Sequence, residues 1–249
     1  MTIRVPLASV GLCGVLGLAL VARPVAAQAW PDTVVGRLAA EAQLGELSFA
    51  LLTHDSATLV LDDWCRRHGT DPHAQIVADR VRAAAKDPFP EIRAALRVGA
   101  TETIAYRQVR LRCGTQILSE ADNWYVPARL TPDINRALET TDIAFGRAAL
   151  VLGFRRVGMS SRRLWSPLPP DWERLTEAKW PNGGMLAIPA FVLENRASLV
   201  VAGDLPISVV IERYTGAVLS LAPAVARPDP RRCSRRGQCR TAAGEVAAD

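Results

Sequence analysis

The chain has 249 residues, of which 49% are hydrophobic and 22% charged, and its formal net charge at pH 7 is +5. This length suffices for one domain of ordinary size, and the hydrophobic share suffices for a packed core, which excludes a largely disordered chain. The positive charge does not indicate a nucleic-acid-binding protein, because much of it lies at the chain ends and no stripe of Lys and Arg interleaved with aromatic residues is present.

The N-terminal residues have the pattern of a secretory signal peptide. An early cation, Arg4, precedes an apolar run over residues 5–22, and small residues around Ala27 match a signal-peptidase site. The alternative is a membrane anchor, but the run is shorter than the roughly 20 residues that a bilayer span needs, and proline and glycine interrupt it. We therefore expect residues 1–29 to be removed on export, which makes the mature protein periplasmic or secreted, with no stable membrane span.

The next part of the chain, residues 32–99, is predicted to be helical. Ser56 is a suitable N-cap for one helix, and Gly69 lies just past its expected end. Asp71-Pro72 predicts the start of another helix that runs through Ile76, Val77 and Val81.

From Ile104 the hydrophobic period changes to two, which predicts β-strands over residues 104–221. In the first strand, alternate residues share one face: Arg107, Val109, Leu111 and Cys113. Gly114-Thr115 predicts a turn into a second strand that extends to Arg129, so the two strands form a hairpin.

Further elements follow this hairpin. Thr131-Pro132 predicts a helix start, and the composition of residues 160–171 predicts a loop. Three β-rich runs come next, over residues 185–194, 198–203 and 207–215, and the last two are predicted to be joined by a turn.

This order of elements predicts an α+β fold, a single antiparallel β-sheet with helices packed on one side. We assign residues 30–223 to this domain. Residues 224–249 are rich in Arg and Pro and have too few apolar side chains to join a core, so we expect a disordered tail.

The mature chain has an even number of cysteines in a compartment that permits disulfides: Cys65, Cys113, Cys233 and Cys239. Three pairings are possible. Cys233 and Cys239 could close a small ring, in which case Cys65 and Cys113 would pair within the domain or remain as buried thiols.

Several classes of site have no motif in the chain. Three histidines are present, and no closely spaced pair of them lies among carboxylates, so we predict no metal site. There is no phosphate-binding loop, dinucleotide fingerprint, serine-hydrolase elbow or zinc-protease helix, and we predict no cofactor.

Two charged residues occupy unusual places in the strand pattern. Arg107 begins an apolar face, where its guanidinium needs a carboxylate partner, either from a ligand or from an internal salt bridge. Glu212 ends a strand whose two faces are both apolar. Its carboxyl group would therefore be poised for proton transfer or for hydrogen bonding to a ligand, unless it reaches water at the strand end.

Four short stretches, YRQVRLRCG, ADNWYVPARLTP, TTDIAFGRAAL and GDLPISVVIERY, resemble motifs of the chorismate pyruvate-lyase family in order and spacing. The resemblance implies a single antiparallel sheet with packed helices and a small enclosed pocket. It also implies that Arg107 binds a ring carboxylate, that Glu212 is the catalytic acid or base, and that Phe145 and Gly146 line the pocket.

The resemblance implies an enzyme that eliminates pyruvate from chorismate to give 4-hydroxybenzoate. The expected signal peptide and the helical N-terminal region have no counterpart in that family. A periplasmic binding protein for a small aromatic carboxylate, without catalysis, is therefore the alternative, and a third possibility is an accessory protein with a vestigial pocket.

Overall fold

A computed structural model describes residues 30–69, 71–82, 85–176, 180 and 183–221. In this part of the chain, the strands form a six-stranded antiparallel sheet with the order β1-β2-β3-β6-β5-β4. The strands are β1 Val77–Arg80, β2 Ala105–Cys113, β3 Gln116–Tyr125, β4 Arg155–Arg163, β5 Phe191–Val201 and β6 Leu205–Thr215. The α-helices are α1 Val34–Thr53, α2 Ala57–His68, α3 Pro90–Leu96, α4 Pro132–Thr140 and α5 Phe145–Ala148.

The predicted fold class, α+β with a single antiparallel sheet, is confirmed. Helices α1, α2, α4 and α5 cover one face of the sheet, where two apolar clusters form the main core. The short helix α3 is an exception, because its Ile92 and Leu96 pack on the opposite face against Trp124 and Val209.

The predicted helix starts at Ser56 and Thr131 are confirmed, and the reason is capping. The Ser56 hydroxyl accepts a hydrogen bond from the backbone N–H of Leu59 at 3.4 Å, and the Thr131 hydroxyl accepts one from Ile134 at 3.3 Å. Each hydroxyl thereby satisfies a backbone donor that the first helical turn leaves free.

The prediction that residues 32–99 are helical is wrong for residues 77–80, which form strand β1. This strand pairs with β2, so that Val77 is opposite Arg112 and Arg80 is opposite Val109. The apolar residues around it were too few to distinguish a period of 3.6 from a period of two. Pairing with the free edge of β2 decides the conformation.

The loop predicted for residues 160–171 is wrong for residues 160–163, which form the end of the edge strand β4. Most of the side chains of β4 are exposed, so the strand has no alternation of apolar and polar residues for a sequence pattern to show. The runs 185–194 and 198–203 also merge, since residues 191–201 form the single strand β5. The turn predicted between the last two runs is confirmed, since β5 and β6 are consecutive strands that pair antiparallel.

The signal peptide predicted for residues 1–29 and the disordered tail predicted for residues 224–249 lie outside the described residues, and both stay predictions. Within the described part of the chain, no helix combines the length and the apolar character that crossing a membrane requires.

A disulfide between Cys65 and Cys113 joins α2 to β2, with a Cα–Cα distance of 5.7 Å. Both residues are buried in the main core. This pair was one of the alternatives that the cysteine count left open. The bond holds the N-terminal helices against the sheet.

We expect the disulfide to contribute substantially to stability, because it closes a segment with a sequence separation of 48 residues. The double variant Cys65→Ala/Cys113→Ala should lose about 4 kcal/mol of the free energy of unfolding, measured by chemical denaturation. The control is a reducing agent, which should destabilise the natural chain and leave the double variant unchanged. Equal stability of the two oxidised proteins would contradict this expectation.

Candidate ligand-binding site

A narrow cavity lies between the sheet, the start of α2 and the short helix α5. Its volume is about 450 Å³ when the open space next to it is included, and its enclosed volume is about 40 Å³. The apolar part of its lining consists of Ala57, Val109, Leu111, Ala121, Ala144, Phe145, Phe154, Leu199 and Val210. The polar part consists of Asp55, Ser56, Thr58, Asn123, Arg156 and Glu212, together with Gly146.

Phe145 and Gly146, which the resemblance assigned to a pocket, both line this cavity. Phe145 is buried, and its ring contacts that of Tyr125 with 5.4 Å between centroids. A Cβ atom at Gly146 would lie 3.2 Å from the Ser56 hydroxyl, so glycine allows α5 to approach the start of α2 closely. Contact of either residue with a ligand stays a prediction.

An ion pair between Arg156 and Glu212 closes the polar part of the cavity. An Nη atom of Arg156 lies 2.5 Å from a carboxylate oxygen of Glu212, and both side chains are more than nine-tenths buried. The Tyr214 hydroxyl donates a further hydrogen bond to the same oxygen at 2.8 Å. Glu212 is thus buried rather than exposed at the strand end, the two alternatives that the sequence left open, and its partners are a cation and a hydroxyl.

The electrostatics keep Arg156 charged and Tyr214 protonated. Burial acts to lower the pKa of Arg156, but the Glu212 carboxylate and the other neighbouring groups outweigh it, so the pKa is raised above its ordinary value. Burial and then the Glu212 carboxylate raise the pKa of Tyr214 well above its ordinary value. The hydroxyl therefore remains a hydrogen-bond donor at neutral pH.

Asp55, which lies between α1 and α2, also lines the cavity. Its carboxylate accepts a hydrogen bond from the backbone N–H of Arg156 at 2.8 Å, which attaches this loop to β4. The first turn of α2, with the Ser56 and Thr58 hydroxyls, faces the same cavity. A helix N-terminus carries a partial positive charge and favours anions.

Arg107 is not part of this cavity. Its guanidinium donates hydrogen bonds to the backbone carbonyls of Leu138, Thr141 and Ile143, so it caps the end of α4. Burial, and then the nearby Arg80, lower the pKa of Arg107 to about 10. The structure does not bring Arg107 and Glu212 together, and binding of a carboxylate by Arg107 stays a prediction that this geometry does not support.

Sequence reasoning missed Arg156, the cation of the cavity. Arg155 precedes it, and the strand around both is mostly exposed, so no pattern distinguishes the buried arginine from its neighbour. Tyr214 was missed too, although it follows Glu212 by two residues and therefore shares its face of β6.

A second, smaller cavity lies beside Arg156, between β4, β5 and the end of α1. Asn195 lines it, is almost fully buried, and has no hydrogen-bond partner for either polar side-chain atom. The amide lies near enough to Tyr214 to act on the pKa of that phenol, yet the geometry falls short of a hydrogen bond. Its enclosed volume is about 20 Å³, which is enough for one or two water molecules.

Among the described residues, no group of three His, Cys, Asp or Glu side chains comes together to hold a metal ion. The predictions of no metal and no cofactor stay predictions.

Comparison with known proteins gives a similar sequence and several partly similar structures. No protein-family model matches the chain. The chain is 46% identical over 202 residues to the uncharacterized protein y4mC of Sinorhizobium fredii (strain NBRC 101917 / NGR234), a match that covers 81% of this chain and 85% of that protein.

Two solved structures illustrate the structural similarity. PhnF from Mycobacterium smegmatis is 12% identical, with 71% of each chain covered and a TM-score of 0.44. The ligand-binding domain of a GntR-family transcriptional regulator from Bordetella bronchiseptica is 18% identical, with 56% of this chain and 82% of that chain covered and a TM-score of 0.36.

The tyrosines of the chain give a pH-dependent prediction. The sequence has three tyrosines, Tyr106, Tyr125 and Tyr214. The pKa of each is raised above its ordinary value, and burial is the largest cause. An unfolded chain releases these protons near pH 10, whereas the folded chain keeps them. The stabilising contribution is therefore complete below pH 10 and is lost as the pH rises through the folded-state pKa values.

Ultraviolet absorbance of tyrosinate and circular dichroism, followed together against pH, measure this effect. We expect tyrosinate to form only as the circular dichroism of the folded protein disappears. A tyrosinate signal near pH 10 in a protein that keeps its folded spectrum would show that the phenols are more accessible than the structure indicates.

Proposed function

The chain belongs to the same protein family as y4mC of Sinorhizobium fredii, and we propose that its members bind a small aromatic or cyclic carboxylate in the cavity between α2, α5 and the sheet. The observation that carries this proposal is the buried pair of Arg156 and Glu212 at the polar part of an otherwise apolar cavity. An apolar cavity with a few convergent polar groups is the usual form of a small-molecule site.

The apolar walls suit a flat ligand. Phe145 lines the cavity from α5, Phe154 lines it from the residue just before β4, and Val109 and Val210 line it from the sheet. The enclosed volume is about 40 Å³, below the roughly 150 Å³ of a cavity that holds benzene, so a single ring would enter only as the side chains around the cavity move apart.

The polar part suits a carboxylate, with one condition. The Arg156 guanidinium can present two N–H groups to a carboxylate, and the first turn of α2 adds a favourable dipole. However, the charged residues that line the cavity are one cation, Arg156, and two anions, Asp55 and Glu212. A ligand carboxylate adds another negative charge close to Glu212, and two carboxylates that share one guanidinium favour uptake of one proton.

We therefore expect binding of a ring carboxylate to be coupled to protonation. With 4-hydroxybenzoate as the probe, isothermal titration calorimetry in buffers of different ionisation enthalpy should detect the uptake of about one proton per ligand. Where uptake is complete, the affinity should fall about tenfold for each unit of rising pH. Binding without proton uptake, or no binding, would contradict the proposed arrangement.

Matched variants locate the effect. Glu212→Gln leaves Arg156 without its anion and should lower the stability of the free protein. The folded variant should keep binding, because the ligand carboxylate then pairs with Arg156, and proton uptake should be abolished because the competing negative charge is gone. Arg156→Gln alone would leave Glu212 buried without a cation and destabilise the fold, so the test uses Arg156→Gln/Glu212→Gln, which should stay folded and lose affinity for the acid. Arg107→Met is the comparison, and it should leave the affinity unchanged because Arg107 contacts backbone carbonyls of the α4 end.

The lyase reaction is a second candidate, and the position of Glu212 favours it. Conversion of chorismate to 4-hydroxybenzoate requires a base that removes a ring proton while the carbon–oxygen bond to the enolpyruvyl group breaks, after which the released enolpyruvate becomes pyruvate. Glu212 is a carboxylate at the cavity wall, and the Tyr214 hydroxyl next to it could return the proton. Chorismate carries two carboxylates, however, and Arg156 is the single cation that lines the described cavity, so a ring with one carboxylate fits better.

The lyase candidate is tested by the ultraviolet absorbance of 4-hydroxybenzoate formed from chorismate. If the reaction occurs at this site, Glu212→Gln should reduce the rate at least ~100-fold, while Arg107→Met should leave it unchanged. Absence of turnover by a protein that binds 4-hydroxybenzoate would leave binding as the function of the cavity.

A further inference from the structure

Helix α1 has a second apolar face, which points away from the protein. Its inner face buries Gly36, Ala40, Leu44, Leu47 and Leu51 in the main core. On the opposite side lies a stripe of Val35, Leu38, Ala42, Gly45, Phe49 and Leu52, and we refer to these residues as the outer stripe. Its large members are exposed by 75% at Val35, 39% at Leu38, 69% at Phe49 and 56% at Leu52.

The spacing of the outer stripe is that of a coiled-coil seam. Its residues follow one another at intervals of three, four, three, four and three, the alternation of positions a and d in a heptad. The spacing is also the same in both directions along the helix. In an antiparallel pair of identical helices, Val35 would therefore face Leu52 of the second copy, Leu38 would face Phe49, and Ala42 would face Gly45.

No close contact within the described part of the chain requires a glycine at position 45. A Cβ atom at this position would meet nothing within 4 Å, whereas one at Gly36 of the same helix would lie 2.1 Å from the carbonyl oxygen of Pro31. A glycine in the middle of a helix costs roughly 0.5–1 kcal/mol relative to alanine. Close approach of a second backbone, at the point where two helices cross, accounts for a glycine here.

Charges around the outer stripe do not oppose pairing. Arg37, Glu41 and Glu46 are the charged residues of α1, and each is already paired within its own chain, with Asp32, Arg163 and Arg67. In the antiparallel arrangement Glu41 lies on the same flank as Ser48 of the second copy, and Glu46 on the same flank as Ala39. Between the two α1 helices, no like charges face each other.

We propose that two copies of this chain associate through the outer stripes of their α1 helices, as an antiparallel pair with two-fold symmetry. Such an interface is isologous, so every contact occurs twice. The exposed side chains would bury on the order of 1,000 Å² in total, which is near the lower limit for a specific interface. The dimer is accordingly weak, with dissociation in the micromolar range.

Sedimentation equilibrium of the full chain over micromolar concentrations tests the proposal. The average mass should rise from one copy to two, and Gly45→Arg should raise the dissociation constant at least ~100-fold. Because the space around Gly45 is open, this variant should keep the circular dichroism and thermal stability of the natural chain. Val77→Arg is the matched control, since Val77 is 45% exposed on β1 at the far edge of the sheet, and it should leave the dimer intact.

The register has its own test. In a background with Cys13, Cys233 and Cys239 replaced by serine, a mixture of Ala42→Cys and Gly45→Cys chains should form a disulfide-linked heterodimer faster than either variant links to itself. Monomers at every concentration would overturn the proposal, as expected if another part of the chain or a different protein covers the outer stripe. A dimer unaffected by Gly45→Arg would place the interface elsewhere and also overturn it.

Discussion

A charge on the inner face of a sheet has to be compensated, and this requirement shapes the site around Glu212. The compensating cation, Arg156, comes from the edge strand β4, two positions away from β6 in the sheet. Tyr214 supplies a hydrogen bond from the same strand as Glu212, and Asp55 attaches the loop between α1 and α2 to β4. Removing one partner of a buried ion pair commonly costs 3–5 kcal/mol. Replacement of either Arg156 or Glu212 alone therefore destabilises the fold more than replacement of both residues together.

Much of the fold could be predicted because its signals are local. A capping residue at Ser56, the Thr131-Pro132 start and the period-two run after Ile104 each depend on neighbours a few residues away. Strand β1 and the end of strand β4 were not predictable in the same way. The first has four residues and gains its conformation by pairing with β2, and the second is exposed on both faces, so neither presents a pattern of its own.

The site was predicted only in part, for a related reason. The apolar residues before Glu212 in β6 made burial of its carboxylate one of two alternatives, the other being exposure at the strand end. A carboxylate partner was expected for Arg107. Arg107, which the strand pattern places on the inner face of β2, instead donates hydrogen bonds to the backbone carbonyls at the end of α4. Those carbonyls reach Arg107 only through the tertiary packing of α4 on the sheet. Arg156 is the partner of Glu212 because the strand order of the sheet places β4 and β6 on either side of β5. Sequence separation alone carries no information about that order.

The bond between Cys65 and Cys113 encloses β1 and α3 within one covalent ring. Trp64, next to Cys65, also donates a hydrogen bond from its indole N–H to the carbonyl of Val218, so α2 is held at the C-terminal end of the domain as well. A protease that cuts once inside the ring produces two polypeptides that remain joined, with the sheet still paired across the cut. Such a nicked molecule would migrate as one species until it is reduced, and its lifetime among proteases would be set by the second cut.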